Sequence, residues 1–334
     1  MVSVSLFQKP IVKVKLADLL KATGDFHSDH IVVAGSSRVG TAYKAVLPDG
    51  SALTVKRLNG CPLGEKQFRA EMNRIGQLRH PNLVPFLGFC VVEDERLLIY
   101  KYMPDGALSS LLHSTSGDLD WPVRLRIGIG AARGLAWLHH GFPIPFLHQN
   151  ITSSAVLLAE DCEARITDFG LPQLVQCSPI DSATADESPF MNGEFGEFGY
   201  VPPEYASNPI ATTKGDVYAF GVVLLELVTR QRPTEVSMDA AGDGFKGNLV
   251  YWTNQLLAAG RLLDSVDISL RGKGSEEEIL HYLKIAVSCV AYNPRERPSM
   301  YHLYLSLKSL GRSIIHQSIS MNSLCLWKDD SESH

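Results

Sequence analysis

The stretch HQNITSSAVLLAEDCEARITDFG, residues 148–170, decides the fold. It opens on His148-Gln149-Asn150 and closes on Asp168-Phe169-Gly170. Apolar residues recur at helical spacing on both sides of it, from Val123 to His140 and from Asp216 to Val228. The stretch is therefore predicted to lie between two long helices.

The chain upstream of this stretch has a different pattern. Short β-branched runs between Ile31 and Leu58, and again at 84–92 and 96–102, predict strands. Between them, Gly64 to Leu78 is predicted to be a helix that carries its apolar residues on one face. Further helices are predicted downstream at 249–259, 276–290 and 299–310. A β-rich lobe with one helix, followed by a mostly helical lobe, is an α+β two-lobed architecture.

Four segments follow from this pattern. Residues 1–25 are predicted to be a juxtamembrane-like leader with one short amphipathic helix, Leu16 to Ala22. Residues 26–103 form the N-lobe and 104–312 the C-lobe. Residues 313–334 are serine-rich and are predicted to be a flexible tail.

Composition excludes several classes of protein. The 334 residues are 45% hydrophobic and 20% charged, which is typical of a globular protein and not of a disordered one. A net charge of -5 without a long basic block argues against nucleic-acid binding. The most apolar run, Val217 to Val228, contains Glu226 and is predicted to be a core helix, so no transmembrane segment is expected in this chain.

Short motifs occur in a fixed order along residues 26–312. They are Gly35-Ser36-Ser37-Arg38-Val39-Gly40, Leu53-Thr54-Val55-Lys56, Glu71 in the middle of its helix, His148-Gln149-Asn150, Asp168-Phe169-Gly170, Pro202-Pro203-Glu204, Asp216-Val217-Tyr218 and Arg297-Pro298. This order resembles the protein-kinase signature set. Phrases such as Trp137-Leu138-His139-His140 and Gly199-Tyr200-Val201-Pro202-Pro203-Glu204-Tyr205 are similar to plant leucine-rich-repeat receptor-like kinases. The leader Phe7-Gln8-Lys9-Pro10 and the triplet 148–150 resemble the subgroup regarded as inactive, which binds co-receptor kinases in brassinosteroid and immune signalling.

The catalytic loop departs from the family pattern at its reacting positions. Asn150 stands where the family has the aspartate that accepts the proton of the substrate hydroxyl, and a carboxamide cannot act as a base. General-base catalysis contributes about 10²–10⁴ in rate, or about 3–5.5 kcal/mol of barrier. Ala155 replaces the asparagine that holds the second magnesium ion, and a methyl group cannot ligate it. Thr152 replaces the lysine near the γ-phosphate.

Other departures affect the glycine-rich loop and the control of the activation loop. A Cβ at Ser37 is expected to hinder close approach of the backbone to phosphate, and Thr54 is expected to crowd the adenine base. Gln149 removes the arginine that would bind a phosphorylated loop. Glu197 replaces a threonine that would contact the catalytic aspartate.

Some positions for nucleotide and metal remain. The resemblance assigns nucleotide contacts, if any, to Gly35, Gly40, Lys56, Glu71, Tyr100, Tyr102 and Asp168, with Asp168 as a magnesium ligand. The alternative is architectural: Lys56 and Glu71 pair to hold the helix against the sheet, and Asp168 hydrogen-bonds at the lobe junction. Glu204, Asp216 and Arg297 are assigned to fold support. No cofactor is required, and weak binding of ATP with Mg²⁺ stays an open alternative.

The leading hypothesis is a receptor-like pseudokinase that docks on an active receptor or co-receptor kinase. It would act at the cytoplasmic face of the plasma membrane as part of a receptor-like protein, with a free cytosolic protein as the alternative. The second hypothesis is a weakly active atypical Ser/Thr kinase that binds ATP. The third is an adaptor controlled by phosphorylation of Ser178, Ser182, Thr184 and Ser188.

Overall fold

The structure, a computed structural model, describes residues 5–6, 15–37, 39–93, 95–114, 119–160, 162–172, 197–237 and 247–311. The activation-loop serines and threonine named above lie outside these residues, as does the predicted tail. The two-lobed α+β architecture predicted from the sequence is confirmed.

The N-lobe is an antiparallel six-stranded sheet in the order β1-β5-β6-β4-β3-β2. Its strands are β1 (Ser5–Leu6), β2 (Ile31–Ser37), β3 (Gly40–Val46), β4 (Ala52–Leu58), β5 (Phe86–Val92) and β6 (Glu95–Lys101). Gly40 pairs with Leu58, and a Cβ on Gly40 would collide with the Arg57 carbonyl oxygen. Glycine is therefore required at the first residue of β3, which lies beside the end of β4.

The two faces of this sheet are covered by different helices, because successive strand residues point to opposite sides. Helix α2 (Glu65–Gly76) places Phe68, Met72 and Ile75 in the core with Leu98 and Tyr100. The alternate residues Leu97 and Ile99 pack in a second core beneath α1 (Leu16–Ala22). The leader helix thus packs on the N-lobe sheet, with Leu19 completely buried.

Leu19 supplies the first prediction. Leu19→Ala is expected to lower the free energy of unfolding by about 2–3 kcal/mol, because it opens a cavity between α1 and the sheet. Urea denaturation followed by circular dichroism measures the change. Lys21→Ala is the matched control, since Lys21 is on the exposed face of the same helix and should change stability by about 0.5 kcal/mol or less. Equal stability of the two variants would show that α1 does not contribute to the N-lobe core.

The C-lobe is helical around one buried helix. Its helices are α3 (Leu108–Leu112), α4 (Trp121–His140), α5 (Thr213–Thr229), α6 (Leu249–Ala258), α7 (Glu276–Cys289) and α8 (300–311). Helix α5 is buried from Gly215 to Thr229, which confirms the predicted core helix. Among the described residues, no helix combines the length and apolar character that crossing a bilayer requires.

The stretch 148–170 contains a short β-hairpin. Strands β7 (Val156–Leu158) and β8 (Ala164–Ile166) pair antiparallel, so residues 148–155 and Asp168-Phe169-Gly170 emerge at the same end of the hairpin. Ile166 also accepts a hydrogen bond from the Val84 N–H at 2.9 Å. This contact attaches the hairpin to the segment that leads into β5.

Candidate active site

Lys56 and Asp168 meet at the junction of the lobes. Lys56 on β4 is 3% exposed and forms an ion pair with Asp168, a residue that is 8% exposed. The Lys56–Glu71 ion pair of the architectural alternative is not formed in this structure, where the Glu71 carboxylate pairs with Arg74 at 2.9 Å. Glu71 and Arg74 can form this pair because residues three apart in the sequence are neighbours on the surface of a helix. The retained lysine is thus paired with the carboxylate that the kinase resemblance assigns to metal.

Phe169 and Gly170 are fixed against the segment before the catalytic loop. The rings of Phe169 and Phe146 meet edge to face, with 6.2 Å between centroids. Gly170 has a φ of +73°, and a Cβ there would lie 2.7 Å from the Phe146 ring. Both the backbone conformation and the close contact therefore require glycine at this position.

Asp216 holds the start of the catalytic loop through hydrogen bonds. Its carboxylate accepts hydrogen bonds from the backbone N–H groups of His148 and Gln149, both at 2.8 Å, and from His139 Nε2 at 2.8 Å. Burial alone would raise the pKa of Asp216. The hydrogen bond and charge of His139, together with the hydrogen bond from the His148 backbone N–H, hold this pKa below its ordinary value. The assignment of Asp216 to fold support stays a prediction, and these contacts agree with it.

His148 is a neutral structural side chain. Burial lowers its pKa, although the nearby Asp216 and Asp168 carboxylates act in the opposite direction. Nε2 donates to the Thr167 carbonyl oxygen at 2.8 Å, and Nδ1 accepts the Asn150 N–H at 3.3 Å. One tautomer of the neutral imidazole satisfies both contacts.

Asn150 and Glu197 are brought together at the mouth of the catalytic loop. Both line a cavity of about 20 Å³, together with Tyr200 and Asp216. Asn150 offers a carboxamide, which cannot accept a proton, where the kinase reaction uses an aspartate carboxylate beside the substrate hydroxyl, and Glu197 supplies the carboxyl group of this cavity. Gln149, the neighbour of Asn150, has a φ of 70°, so the loop turns sharply here.

Thr152 and Ala155 have local structural contacts. The Thr152 hydroxyl accepts the Ala155 N–H at 3.1 Å and caps the single turn Ser153–Ala155. Ala155 is 4% exposed, and its carbonyl oxygen accepts the Thr167 N–H at 3.0 Å. The substituted positions therefore stabilise the loop, whereas a kinase would use them for phosphate and metal.

This donor set does not fit the pair of magnesium ions used by protein kinases. Magnesium binds oxygen ligands in near-octahedral geometry. Ala155 supplies none, and the Asp168 carboxylate is engaged by Lys56. Of the two protein ligands that the resemblance assigns to metal, only Asp168 keeps a ligating group.

The adenine side of the cleft retains aromatic residues. Tyr100 is 3% exposed and lies opposite Thr54 in the β4–β6 register. Tyr102 follows at the start of the interlobe connection, with the Lys44 ammonium 4.6 Å from its ring centroid. Gly35 lies within β2, and the side chain of Ser37 lies outside the described residues, so its expected effect on phosphate binding stays a prediction.

Asn150 supplies a prediction about chemistry. Asn150→Asp alone is expected to leave phosphoryl transfer at background, because Ala155 and Thr152 still lack the metal and phosphate contacts and these losses act on one assembly. Incorporation of radioactive phosphate from ATP measures the transfer, with Asn150→Asp/Lys56→Glu as the matched control. Clear labelling by the single variant that the double variant lacks would show that the other substitutions matter little.

Comparison with known proteins places the chain. Residues 33–307 match the family of protein tyrosine and serine/threonine kinases, so the chain belongs to the protein-kinase family. Within it, the chain is 58% identical over 313 residues to the probable inactive receptor kinase At1g27190 of Arabidopsis thaliana. It is 56% identical over 307 residues to the inactive LRR receptor-like serine/threonine-protein kinase BIR2 of the same organism. These matches cover 93% and 92% of the chain but only 51% and 49% of the two relatives.

A solved structure gives the same result. The pseudokinase domain of BIR2, described as an immune regulator of the RLK/Pelle family, superposes with a TM-score of 0.80 at 52% identity. The match covers 93% of this chain and 90% of that one. The predicted resemblance to inactive plant receptor-like kinases is thus confirmed, and so is the class of pseudokinase. The chain spans about half the length of the two curated relatives, at 51% and 49%.

Proposed function

We propose that this pseudokinase domain acts by docking on the cytoplasmic domain of an active receptor-like or co-receptor kinase and restraining it. The observation that carries the proposal is that the described residues form a well-packed kinase fold whose base and second-metal positions are Asn150 and Ala155. Thr152, which lies between them, is buried and accepts the Ala155 N–H, so the loop keeps its structure while the catalytic groups are replaced. A binding role uses the fold and does not need the missing chemistry.

The similarity to BIR2 supports a regulatory role, because the BIR2 domain is described as an immune regulator. The proposed place of action is the cytoplasmic face of the plasma membrane, as part of a receptor-like protein. The alternative is a free cytosolic protein. Partner and location both rest on analogy with relatives of which this chain covers about half, at 51% and 49%.

Docking can be measured directly. The purified chain is titrated into the cytoplasmic domain of an active leucine-rich-repeat co-receptor kinase by isothermal calorimetry, and phosphorylation of a model substrate is followed in parallel. Binding and a slower phosphorylation rate are expected, and Asn150→Asp, which changes a half-buried side chain of the catalytic loop, should bind equally well because docking does not use the cleft. A kinase domain from outside the receptor-like class is the control. The proposal fails if a panel of such co-receptor domains shows neither binding nor slower phosphorylation.

The cleft is proposed to bind ATP weakly or not at all. The Lys56–Asp168 ion pair supports this proposal, because a nucleotide with magnesium would have to separate two buried charges that satisfy each other. Melting temperature with millimolar ATP and MgCl₂ is expected to stay within about 1 °C of the ligand-free value. A saturable rise of several degrees would favour the weakly active kinase, because ligand binding stabilises the folded state by mass action.

A further inference from the structure

Arg74 contacts two groups that belong to different parts of the lobe junction. Its Nε donates to the Glu71 carboxylate at 2.9 Å. Its guanidinium also lies over the Phe146 ring, 4.5 Å from the centroid. Arg74 therefore joins helix α2 of the N-lobe to the segment that enters the catalytic loop of the C-lobe.

Phe146 is a fixed platform for this guanidinium. The side chain is 6% exposed, and its backbone N–H donates to the Leu138 carbonyl oxygen at 2.9 Å. The ring also packs edge to face on Phe169 and lies close to Gly170. A cation over the face of an aromatic ring is attracted to it, so the Phe146 ring holds the Arg74 guanidinium in addition to Glu71.

The position of Arg74 bears on the partner of Lys56. The Glu71 carboxylate has a side-chain exposure of 35%, whereas Lys56 is buried and paired with Asp168. To reach Lys56, Glu71 would have to leave both water and Arg74. The contact with Arg74 therefore opposes the lysine–glutamate pair that the kinase resemblance implies.

We propose that Arg74 is a positioning residue that holds Glu71 away from Lys56, so that Lys56 stays paired with Asp168. Asp168 is the carboxylate that the cleft retains from the metal-binding set, and its ion pair with Lys56 occupies it. This device needs no partner protein and does not depend on the docking proposed above.

Zero-length cross-linking tests which carboxylate lies against Lys56. A water-soluble carbodiimide joins an amine to a contacting carboxylate as an amide, and peptide mass spectrometry identifies the pair. The wild-type chain is expected to give the Lys56–Asp168 product. Arg74→Met is expected to move at least half of the Lys56 product to Glu71, and Arg74→Gln, which is also uncharged, should do the same.

Arg69 provides the matched control on the same helix. It pairs with Glu65 at 2.7 Å and lies over the Phe89 ring, 5.7 Å from the centroid, which makes it chemically equivalent to Arg74. Arg69→Met should leave the Lys56–Asp168 product unchanged. The wild-type product shows in the same experiment that the reagent reaches the site.

Two results would overturn the proposal. One is an unchanged Lys56–Asp168 product in both Arg74 variants, which would show that Arg74 does not position Glu71. The other is a Lys56–Glu71 product in Arg69→Met as well, which would mean that any loss of charge on α2 has the same effect. A purely structural role for Arg74 predicts lower stability but no change of cross-linked partner.

Discussion

Arg297→Ala is expected to lower the free energy of unfolding by about 3–5 kcal/mol, because it removes the completely buried partner of an ion pair together with its hydrogen bonds to backbone carbonyl groups. Both terminal nitrogens of Arg297 donate to Glu204, at 2.6 and 2.7 Å, and its guanidinium is completely buried. It also donates to the carbonyl oxygens of Ala291 and Lys214, at 2.8 and 3.0 Å. Removing it leaves these acceptors in the C-lobe without their donor.

Urea denaturation of purified variants measures the loss. Arg295→Ala, which removes an exposed arginine two residues earlier, is the control and should change stability by about 0.5 kcal/mol or less. Arg297→Lys should recover little, because an ammonium cannot reproduce the two-pronged contact with Glu204. An Arg297→Ala protein as stable as the Arg295 control would contradict the fold-support role of this pair.

Asp216→Ala is expected to have a comparable effect, about 3–5 kcal/mol. The change leaves two backbone N–H groups of the catalytic loop and the His139 ring without their acceptor, and each buried unsatisfied donor costs about 1–3 kcal/mol. Because the folded pKa of Asp216 lies below its ordinary value of 3.8, this stabilisation is present above pH 3.8 and is lost as the pH falls through the folded pKa. The wild-type chain should therefore keep this contribution at pH 5.

Asp216→Asn separates hydrogen bonding from charge. The amide oxygen can accept only part of the three hydrogen bonds, so this variant should lie between wild type and Asp216→Ala in urea denaturation at pH 7. Amide hydrogen exchange of His148 and Gln149 provides a local readout and should accelerate in both variants. Unchanged exchange at these two amides would show that Asp216 does not hold the loop.

The sequence predicts the fold well where the pattern is local. Helix α1 has the predicted bounds, and α2 and α5 differ from the prediction only at their ends. The spacing of Phe68, Met72 and Ile75 predicts which face of α2 is buried, because helical periodicity depends on residues that are close in the sequence. The short strands β7 and β8 were missed, since three-residue strands carry too little alternation to be recognised.

The contacts of the site were harder to predict, because they depend on which side chains meet in three dimensions. The losses at Asn150, Thr152 and Ala155 follow from residue type alone. The pairing of Lys56 with Asp168, and of Glu71 with Arg74, depends on the position of α2 relative to the lobe junction. His139 was also missed as a partner of Asp216, although a histidine at the end of an apolar helix was visible in the sequence.

Loss of phosphoryl transfer is tested most directly by incubating the purified chain with radioactive ATP and magnesium, beside its Lys56→Glu variant and an active receptor-like kinase domain. Since the general base contributes about 10²–10⁴ in rate and kinases turn over at about 1–100 per second, the wild-type chain is expected to incorporate no more label than Lys56→Glu. Labelling of the wild-type chain that disappears in Lys56→Glu would contradict the assignment of this domain as a pseudokinase.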